Sequence, residues 1–398
     1  MGLSVEKNLP QTWSADSSNV RWKTEIPGEG ISSPIVSNGR VFLTAAHGEQ
    51  QDGAPTEARS VKRVVLGLDL ETGELLWETP VLAAPLEKKH HRSSYATPTP
   101  VTDGEHVFAY FGSVLASVDF GGTLLWKREI DPTYARYSRY GAASSPVLTD
   151  AAVIVVQDRE YDANDDPGWM AAFEKETGRE IWRTDWRHTC CSYTSPLLWG
   201  DDSGARLLFA HSGGIAEYDA ASGERLWEAS YPIGQTVPSP VASGDLLCVT
   251  GGDERRRGTL CMRLSGRGKD TKADILWGNP KDTPKSASPI FYDGKLFTLT
   301  SAGVMTCWDA ETGDRCWQNR IRRRSYHASL VAGDGKIYAI DTDGHATVVA
   351  AGPQFELLAE NDLGEGSDAT PAIAGGCLLI RTARYLYCIE KEVPAGAA

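Results

Sequence analysis

Asp69-Leu-Glu-Thr-Gly73-Glu-Leu-Leu-Trp77 is the first clear copy of a short motif that recurs along the chain. Other clear copies read Glu174-Lys-Glu-Thr-Gly178-Arg-Glu-Ile-Trp182, Asp219-Ala-Ala-Ser-Gly223-Glu-Arg-Leu-Trp227 and Asp309-Ala-Glu-Thr-Gly313-Asp-Arg-Cys-Trp317. The repeat tryptophans are Trp22, Trp77, Trp126, Trp182, Trp227, Trp277 and Trp317. Their intervals of 40 to 56 residues suit propeller blades of roughly 40 to 50 residues, not helical repeats. The chain is therefore predicted to be a repeat protein.

The same counting predicts the fold class, an all-β propeller of eight four-stranded antiparallel blades. Alternating runs such as Arg40-Val-Phe-Leu-Thr44 indicate strands, and the Thr-Gly or Ser-Gly before each tryptophan indicates a hairpin turn. A second landmark opens each blade. The openings are Ser33-Pro34, Thr97-Pro98, Ser145-Pro146, Ser195-Pro196, Ser239-Pro240, Ser288-Pro289, Ser329-Leu330 and Thr370-Pro371. We expect Leu358 to fill the tryptophan slot of blade seven, and the N-terminal strand around Trp22 to close blade eight.

The extended motif Ala-x-Asp-x-x-Thr-Gly-x-x-x-Trp resembles the repeat of the propeller family named for pyrroloquinoline quinone. That family includes the quinoprotein alcohol dehydrogenases and the outer-membrane assembly lipoprotein BamB. The resemblance covers the chain from about Asn19 to Glu390. It implies that the tryptophans dock neighbouring blades and are largely buried between them. The motif is specific for the fold and carries little information on activity.

Length and composition agree with a single propeller. The chain has 398 residues, 40 of them glycine and 21 proline, and radial repetition allows one domain to reach this size. We expect an N-terminal extension over 1–18, one propeller domain over 19–391 and a C-terminal tail over 392–398. No run reaches the roughly 18 apolar residues of a membrane helix. We therefore expect no membrane span, and a monomer.

The eight cysteines can be arranged as four local pairs. These are Cys248 with Cys261, Cys377 with Cys388, Cys307 with Cys316, and the adjacent Cys190 and Cys191. Reduced cysteines are also common in cores, so both interpretations stay open. Pairing favours an oxidising compartment, and we expect a periplasmic or secreted protein whose leader is absent from this sequence. For Cys190 and Cys191 we predict a local disulfide at the channel mouth.

Functional chemistry is expected where the first strand of each blade begins, because these residues stand nearest the propeller axis. Counting three residues back from each opening proline gives a ring that includes Tyr95, Tyr193, His327 and Asp368. The loops that lead to this ring are basic and aromatic, although the formal charge of the chain is −13. Cationic loops on an acidic body steer anionic ligands, and arginine suits carboxylate, sulfate or phosphate.

We predict that these loops line one continuous pocket. The ligand-binding candidates are His91, Arg92, Tyr95, Arg139, Tyr140, Arg187, Lys285, Arg324 and Asp368, and the proton-transfer candidates are His188, Tyr193, Tyr326 and His327. The alternative is a set of solvated loops whose arginines pair with nearby acids such as Asp131, Asp185 or Glu365. The chain has no CxxC, HExxH or CxxCH motif, so we expect no metal site.

Three functions fit these features. The first is a noncatalytic periplasmic propeller that binds an anionic small molecule, a glycan or a protein partner. The second is an enzyme that acts on an anionic glycan through lyase-type chemistry of His, Tyr and Arg, since a histidine near neutral pKa suits proton transfer. The negative charge of the chain opposes nucleic-acid binding. The sequence favours the first function without deciding if the protein is an enzyme.

The third function, a quinone-dependent dehydrogenase, rests on the family resemblance and on the basic loops, which suit a tricarboxylate. Cys190-Cys191 resembles the adjacent-cysteine disulfide that contacts pyrroloquinoline quinone (PQQ) in quinoprotein alcohol dehydrogenases. The long insertions of those enzymes are missing, and their calcium-binding Glu, Asn and Asp find no matching positions. We therefore expect no cofactor, with PQQ and calcium as the less favoured alternative.

Overall fold

The computed structural model describes residues 2–48, 60–85, 87–134, 140–159, 167–186, 192–201 and 204–392. In these described residues, thirty-two strands form eight four-stranded antiparallel sheets. A short 3₁₀ turn lies at Gly268–Asp270. The predicted fold class is confirmed: the protein is an all-β propeller of eight blades. In the described part of the chain, no helix is long and apolar enough to span a membrane.

One compact unit, Ile26–Tyr231, contains blades one to four. Blade one comprises β2 (Ile35–Ser37), β3 (Arg40–Gly48), β4 (Ser60–Asp69) and β5 (Leu75–Pro85). Blade two comprises β6 (Val101–Thr102), β7 (His106–Tyr110), β8 (Val114–Asp119) and β9 (Leu124–Glu129). Blade three comprises β10 (Val147–Leu148), β11 (Ala152–Gln157), β12 (Gly168–Glu174) and β13 (Glu180–Trp186). Blade four comprises β14 (Leu197–Asp201), β15 (Gly204–His211), β16 (Gly214–Asp219) and β17 (Arg225–Ser230).

The other compact unit, Met1–Glu25 with Pro232–Ala398, contains blades five to eight. Blade five comprises β18 (Val241–Ser243), β19 (Leu246–Gly252), β20 (Arg257–Ser265) and β21 (Lys272–Asn279). Blade six comprises β22 (Ile290–Tyr292), β23 (Lys295–Leu299), β24 (Val304–Asp309) and β25 (Arg315–Arg320). Blade seven comprises β26 (Val331–Gly333), β27 (Lys336–Ile340), β28 (His345–Ala350) and β29 (Leu357–Asp362). Blade eight comprises β30 (Ala372–Ala374), β31 (Cys377–Arg381), β32 (Tyr385–Ile389) and β1 (Val20–Glu25).

The N-terminal strand completes blade eight as predicted. β1 pairs antiparallel with β32, and Trp22 lies opposite Cys388. The preceding segment also packs within this unit, because Leu9 and Trp13 are buried in a hydrophobic cluster of blades seven and eight. The Tyr338 hydroxyl donates a hydrogen bond of 2.7 Å to the carbonyl of Pro10. The segment that precedes the first strand is therefore held by both apolar and polar contacts.

The repeat tryptophans connect successive blades through one recurring hydrogen bond. In five of them the indole Nε1–H donates to a backbone carbonyl in the hairpin region of the following blade. The pairs are Trp77 to Phe120 at 3.0 Å, Trp126 to Lys175 at 2.7 Å, Trp182 to Ala220 at 3.1 Å, Trp277 to Ala310 at 2.9 Å and Trp317 to Gly352 at 2.9 Å. The docking role that the family resemblance implied is confirmed for these five residues.

The glycine of the motif is explained by the same contact. Gly178 has φ +67°, and a Cβ built on it would lie 2.6 Å from the ring of Trp126 in the preceding blade. Gly223 stands in the same relation to Trp182, at 2.4 Å. Glycine is therefore required both by the positive φ and by the approach of the indole. The Thr-Gly turn of one blade and the tryptophan of the blade before it form a single packing unit.

The burial of these tryptophans is less complete than the sequence predicts. Trp22, Trp126 and Trp317 are buried, at 8%, 7% and 8% exposure, whereas Trp77, Trp182, Trp227 and Trp277 are half-buried. The rings lie on the outermost strands, where one edge faces solvent. Trp227 also departs from the pattern, since its indole donates to the carboxylate of Glu217 within its own blade. That carboxylate is fully buried and paired with Arg206 at 2.8 Å.

The blade openings form a second set of connections. The hydroxyl of an opening Ser or Thr accepts a hydrogen bond from the equivalent backbone amide of the preceding blade. The pairs are Ser33 N to Thr99, Thr99 N to Ser145, Ser145 N to Ser195, Ser239 N to Ser288, Ser288 N to Ser329 and Ser329 N to Thr370. Every distance lies between 2.8 and 3.0 Å. The hydroxyls therefore have a structural role.

Two details of the sequence count are wrong. Blade two opens at Thr99-Pro100, because the Thr99 hydroxyl makes the bond between blades, whereas the Thr97 hydroxyl donates to Ser94 O. The ring member of blade two is consequently Thr97, and Tyr95 lies two residues further from the strand. In blade seven, the register places Ala359 in the tryptophan slot instead of Leu358, because Ala359 pairs with Val348 next to the bulge.

One of the predicted cysteine pairs is a disulfide. Cys248 and Cys261 lie opposite each other on β19 and β20, and they are bonded with a Cα separation of 4.2 Å. The thiols of the two other described pairs are not joined in disulfides: Cys307, Cys316, Cys377 and Cys388. The reduced interpretation holds for those four. Cys190 and Cys191 lie outside the described residues, and their disulfide stays a prediction.

We predict that Asp103 makes the stability of the unit containing blades one to four depend on acidic pH. Burial opposes its ionisation, but the amides of His106 and Glu105 and the Lys175 ammonium outweigh burial and lower its pKa from 3.8 to about 2. A lowered pKa contributes stability above the ordinary pKa, and this contribution is lost as the pH falls towards 2. Because Asp103 is partly exposed and solvent screens its interactions, Asp103→Asn should cost about 1 kcal/mol at pH 7.

The measurement is urea unfolding of Asp103→Asn and the wild type between pH 7 and pH 3. The difference in unfolding free energy should narrow once the pH falls below about 4. Asp150→Asn, at an exposed aspartate of the next blade, is the control for removing one negative charge. A difference that stays constant across this pH range would contradict the role of Asp103.

Candidate functional site

The candidate site residues fall in both compact units. Arg139, Arg187 and His188 lie outside the described residues, so their roles stay predictions. In the unit of blades one to four, the candidates in the described segments are His91, Arg92, Tyr95, Tyr140 and Tyr193. In the unit of blades five to eight, they are Lys285, Arg324, Tyr326, His327 and Asp368.

Four rings of the first unit form a continuous series of contacts, which we call the aromatic row: His91, His90, Tyr140 and Tyr193. The centroids of His90 and His91 are 4.1 Å apart, and those of His90 and Tyr140 are 5.7 Å apart. Tyr140 meets Tyr193 edge to face at 5.9 Å. Burial, followed by the charges of His91 and Arg92, lowers the pKa of His90. His90 is therefore neutral at pH 7, which suits a stacked ring.

A small cavity lies in the same loop region, and we call it the Arg63 pocket. Cationic side chains, tyrosines and apolar groups line it together: Arg63, Lys88, Lys89, Tyr95, Phe111 and Tyr134. Its volume of about 10 Å³ accommodates roughly one water-sized group. Arg63 and Lys88 were not among the predicted binding residues. Tyr95 is the one predicted site residue among the residues that line this pocket.

Arg63 is a buried charge with incomplete pairing. Its side chain is 2% exposed, and its Nη2 forms an ion pair with the equally buried Glu87. The N–H groups on Nε and Nη1 have no hydrogen-bond acceptor among the described residues. An unsatisfied donor of this kind costs about 1–3 kcal/mol, and more for a charged group. An unpaired buried donor is uncommon in natural proteins and calls for a partner such as a bound water or a small polar group, so the pocket is a candidate site.

Tyr95 is positioned by contacts on both sides. Its ring lies 5.4 Å from the Arg63 guanidinium and 5.0 Å from Lys89 Nζ, within the range of cation–π attraction. Its hydroxyl donates to the carbonyl of Glu87 at 2.9 Å. Burial, together with Glu87 and Glu29, raises the pKa of Tyr95. The phenol therefore stays protonated at neutral pH and holds the loop that carries the lysines.

The ring of Tyr134 lines the pocket and packs closely against the turn that contains Gly112. Gly112 has φ +80°, and a Cβ built on it would lie 2.3 Å from the ring of Tyr134. A second turn, from Asp131 to Tyr134, carries the tyrosine. The Asp131 carboxylate accepts a hydrogen bond of 2.8 Å from the Thr133 hydroxyl and pairs with the buried Arg159. The pocket wall thus depends on a second buried ion pair in the neighbouring blade.

The other unit contains a polar pair at the predicted ring position. His327 Nδ1 and Asp368 Oδ1 are 2.8 Å apart, and they come from the openings of blades seven and eight. His327 Nε2 is buried and has no partner among the described residues. A carboxylate that fixes one imidazole nitrogen orients the other for proton transfer. The glycan-enzyme alternative requires such a pair. Counting three residues back from the blade openings predicted both positions.

The remaining candidates of that unit are placed differently. Tyr326 is fully buried in the hydrophobic core of blades six and seven, and burial raises its pKa to about 12. It therefore belongs to the core instead of a pocket surface, and it is poorly suited to carry protons at pH 7. Arg324 pairs with Asp343 at 2.7 Å, as the solvated-loop alternative predicts. Lys285 is exposed.

The sequence reasoning missed Arg63 because it lies within a strand, away from the basic loops. Its position on β4 coincides with a register shift in the pairing with β5, and a bulge re-aims a side chain. Two adjacent cations in an otherwise apolar run, Val61-Lys-Arg63-Val-Val65, were the signal that could have revealed it, since in a strand one of the two must point inwards. No group of three or more His, Cys, Asp or Glu in the described segments is arranged to hold a metal.

Comparisons with known proteins agree on one family. The family model described as outer membrane protein assembly factor BamB matches residues 7–159 and 269–384. The outer membrane protein assembly factor BamB of Yersinia pestis is 24% identical over 345 residues, covering 85% of this chain and 72% of that protein.

Solved structures show the same fold. BamB from Moraxella catarrhalis aligns with a TM-score of 0.63 and 12% identity, covering 95% of this chain and 98% of that one. The quinohemoprotein alcohol dehydrogenase from Comamonas testosteroni aligns with a TM-score of 0.63 and 10% identity, covering 98% of this chain and 80% of that one. At these identities the likeness concerns the fold alone, since one fold carries many functions.

Proposed function

The chain belongs to the family of the outer membrane protein assembly factor BamB, and we propose that it acts as a noncatalytic propeller that binds an acidic segment of a partner protein. The family supports a role in binding partners. The observation that carries the proposal for this chain is the aromatic row beside exposed cations, in the loops that precede blades two to four.

The aromatic row has the properties of a binding surface. Tyrosine and arginine are enriched among the residues that dominate the energy of protein interfaces. The rings of the row contact one another, as in the 4.1 Å approach of His90 and His91, so less side-chain entropy is lost when a partner binds. A surface of this kind is suited to a partner segment that brings its own apolar groups.

The charge around the row favours an acidic partner. Lys88, Lys89 and Arg92 lie in the loop that also carries His90 and His91. The chain as a whole has a formal charge of −13, so this local positive region stands out electrostatically. Complementary charge raises association rates and rejects partners of the wrong sign. An acidic segment would therefore be steered to this face and away from the rest of the molecule.

A periplasmic location is part of the proposal. The Cys248–Cys261 disulfide supports it, because such bonds persist in oxidising compartments such as the bacterial periplasm. A family named for outer-membrane assembly supports it as well.

The test uses fluorescence anisotropy with a labelled dodecapeptide of alternating glutamate and alanine. We predict salt-dependent binding to the wild type, and binding at least about tenfold weaker in the double variant Lys88→Glu with Arg92→Glu, because reversed charges repel the peptide. Both positions are exposed, so folding should be retained.

Lys127→Glu with Arg128→Glu is the matched control. These exposed residues of β9 give the same change in net charge outside the aromatic row, and binding should stay within about twofold of the wild type. A dodecapeptide with glutamine in place of glutamate should bind weakly to all forms. Equal losses in both double variants would mean that only net charge matters, and the proposed surface would be wrong.

A further inference from the structure

We infer that exposed cations at one end of blades five and six form a binding surface for an anionic polysaccharide, and we call this surface the cationic ridge. Its members are the cations of two neighbouring connections: Arg255, Arg256, Arg257, Lys281 and Lys285. All five are exposed. The ridge lies in the compact unit of blades five to eight, whereas the aromatic row lies in the other unit. The ridge therefore adds a second class of ligand to the acidic partner proposed above.

Strand topology brings the two connections to the same end of the sheet. The order β18-β19-β20-β21 is antiparallel throughout, so the turn from β19 to β20 and the exit from β21 lie at one end. Arg257 begins β20 two residues before Thr259, and Lys281 follows two residues after Asn279, which pairs with Thr259. The connection that carries Lys281 and Lys285 then runs from the outermost strand of blade five to β22, the innermost strand of blade six.

The turn between β19 and β20 is held in one conformation by its own hydrogen bonds. The Asp253 carboxylate accepts bonds of 2.8 Å from the amides of Arg255 and Arg256. The Arg256 carbonyl accepts bonds from the amides of Asp253 and Gly234, at 3.2 and 2.8 Å. The backbone that carries the arginines is therefore fixed before a ligand binds, which reduces the entropy lost on binding.

The cations of the ridge are not neutralised by the acids beside them. Within the part of the chain that the structure describes, Arg256 alone of the five has an acidic partner, Asp253 at 3.8 Å. The amides of the turn lower the pKa of Asp253, and Asp282 accepts a hydrogen bond of 2.9 Å from Gln318. With Glu254, three acids face five cations in a chain of formal charge −13. The ridge is thus a positive surface on an acidic protein, and such a surface steers anions.

The composition and length of the ridge favour an extended polyanion. Residues 253–257 and 279–285 contain no aromatic and no large apolar residue, so a protein segment would find no apolar anchor there. Neighbouring strands are spaced about 4.8 Å apart, so the connection from β21 to β22 crosses roughly 14 Å, more than one small anion spans. Arginine binds sulfate and carboxylate groups through paired hydrogen bonds. A sulfated or uronate polysaccharide carries such groups at intervals along an extended chain.

The experiment measures the fluorescence anisotropy of a labelled heparin decasaccharide with the full chain at several salt concentrations. We expect binding to the wild type that weakens steeply with salt. Arg255→Gln with Lys281→Gln should weaken binding by about tenfold, as expected for two lost ion contacts at an exposed site. The slope of log affinity against log salt should become shallower by roughly one unit for each cation removed, because fewer counterions are released.

Lys272→Gln with Arg315→Gln is the matched control. Both residues are exposed, and they begin β21 and β25 at the opposite end of the same two blades. The control removes the same charge at a distance over which salt screens it. Its affinity should stay within about twofold of the wild type, with an unchanged salt slope. Equal losses in both double variants would show that net charge alone acts, and would overturn the ridge.

Further probes decide the class of ligand. Binding of heparin without polygalacturonate would identify sulfate as the recognised group, and binding of both would identify either anion on a polysaccharide. A neutral dextran that binds as well as heparin would refute the ridge. So would a DNA duplex that binds as tightly as heparin, since the negative charge of the chain opposes nucleic acid.

The acidic dodecapeptide separates the ridge from the proposed function. It should bind Arg255→Gln with Lys281→Gln as it binds the wild type, because the aromatic row is unchanged. Loss of the peptide with heparin binding retained would assign these cations to the partner protein and refute the polysaccharide surface. Loss of heparin alone would support the ridge, whether or not the peptide binds at the aromatic row.

Discussion

Replacing Trp126 with alanine is expected to lower the free energy of unfolding by about 3–5 kcal/mol, the range for large aromatic residues removed from a core. Trp126 is 7% exposed. Its indole donates 2.7 Å to Lys175 O in the next blade, and its ring lies against Phe108 and Gly178. The substitution therefore opens a cavity between two blades and removes a hydrogen bond. Urea unfolding followed by far-ultraviolet circular dichroism measures the loss.

Two further variants separate these contributions. Trp126→Phe keeps most of the ring but cannot donate to Lys175 O, so it should lose less than Trp126→Ala. Trp182→Ala removes a half-buried tryptophan with the same type of bond, of 3.1 Å, and should cost less than Trp126→Ala, about 2–3 kcal/mol. A loss below about 1 kcal/mol for Trp126→Ala would show that docking by tryptophan is not a major source of stability.

The fold could be predicted from the sequence because its determinants are local and repeated. The motif glycine of one blade contacts the motif tryptophan of the preceding blade, as Gly178 and Trp126 do. The same contact recurs in successive blades, so the same residues recur in the sequence. The openings likewise record hydroxyl bonds such as Ser145 N to Ser195. Because the motif occurs in eight blades, an error in assigning one opening does not change the predicted number of blades. The opening of blade two was misplaced, and the blade count was still correct.

The site was harder to predict because it is built from single, unrepeated residues. The ring count did bring His327 and Asp368 to the same level, and they are 2.8 Å apart. It could not reveal that Tyr326, one residue earlier, turns into the core. The ring count could not identify Arg63 either. The position of Arg63 depends on the bulge between β4 and β5 and on its ion pair with Glu87, which lies in the connection after β5. The contacts of these residues arise from tertiary packing, and the only trace of Arg63 in the sequence is a charge within an apolar strand.

The candidate site also explains why buried charges accumulate in one region. Arg63 with Glu87 and Arg159 with Asp131 are ion pairs in which every side chain is less than 10% exposed. Buried ion pairs contribute little net stability, because the cost of removing both charges from water offsets their attraction. Their value is positional. One pair fixes the guanidinium in the pocket, and the other fixes the turn that supplies Tyr134.

Replacing Arg159 with methionine is accordingly expected to cost about 3–5 kcal/mol in unfolding free energy, because it leaves the Asp131 carboxylate buried without its cation. Asp131 is 2% exposed on its side chain. The Thr133 hydroxyl, at 2.8 Å, is too weak a partner to replace a guanidinium. Urea unfolding of the variant measures this loss.

A double-mutant cycle tests the reason for this loss. Asp131→Asn in the Arg159→Met background removes the orphaned charge while it keeps the size of the side chain. The double variant should therefore recover about half or more of the stability lost by Arg159→Met alone. If the two losses simply add, the destabilisation comes from missing arginine packing and not from the buried carboxylate. In that case Tyr134 would be held by shape alone, and the ion pair would have no part in building the pocket.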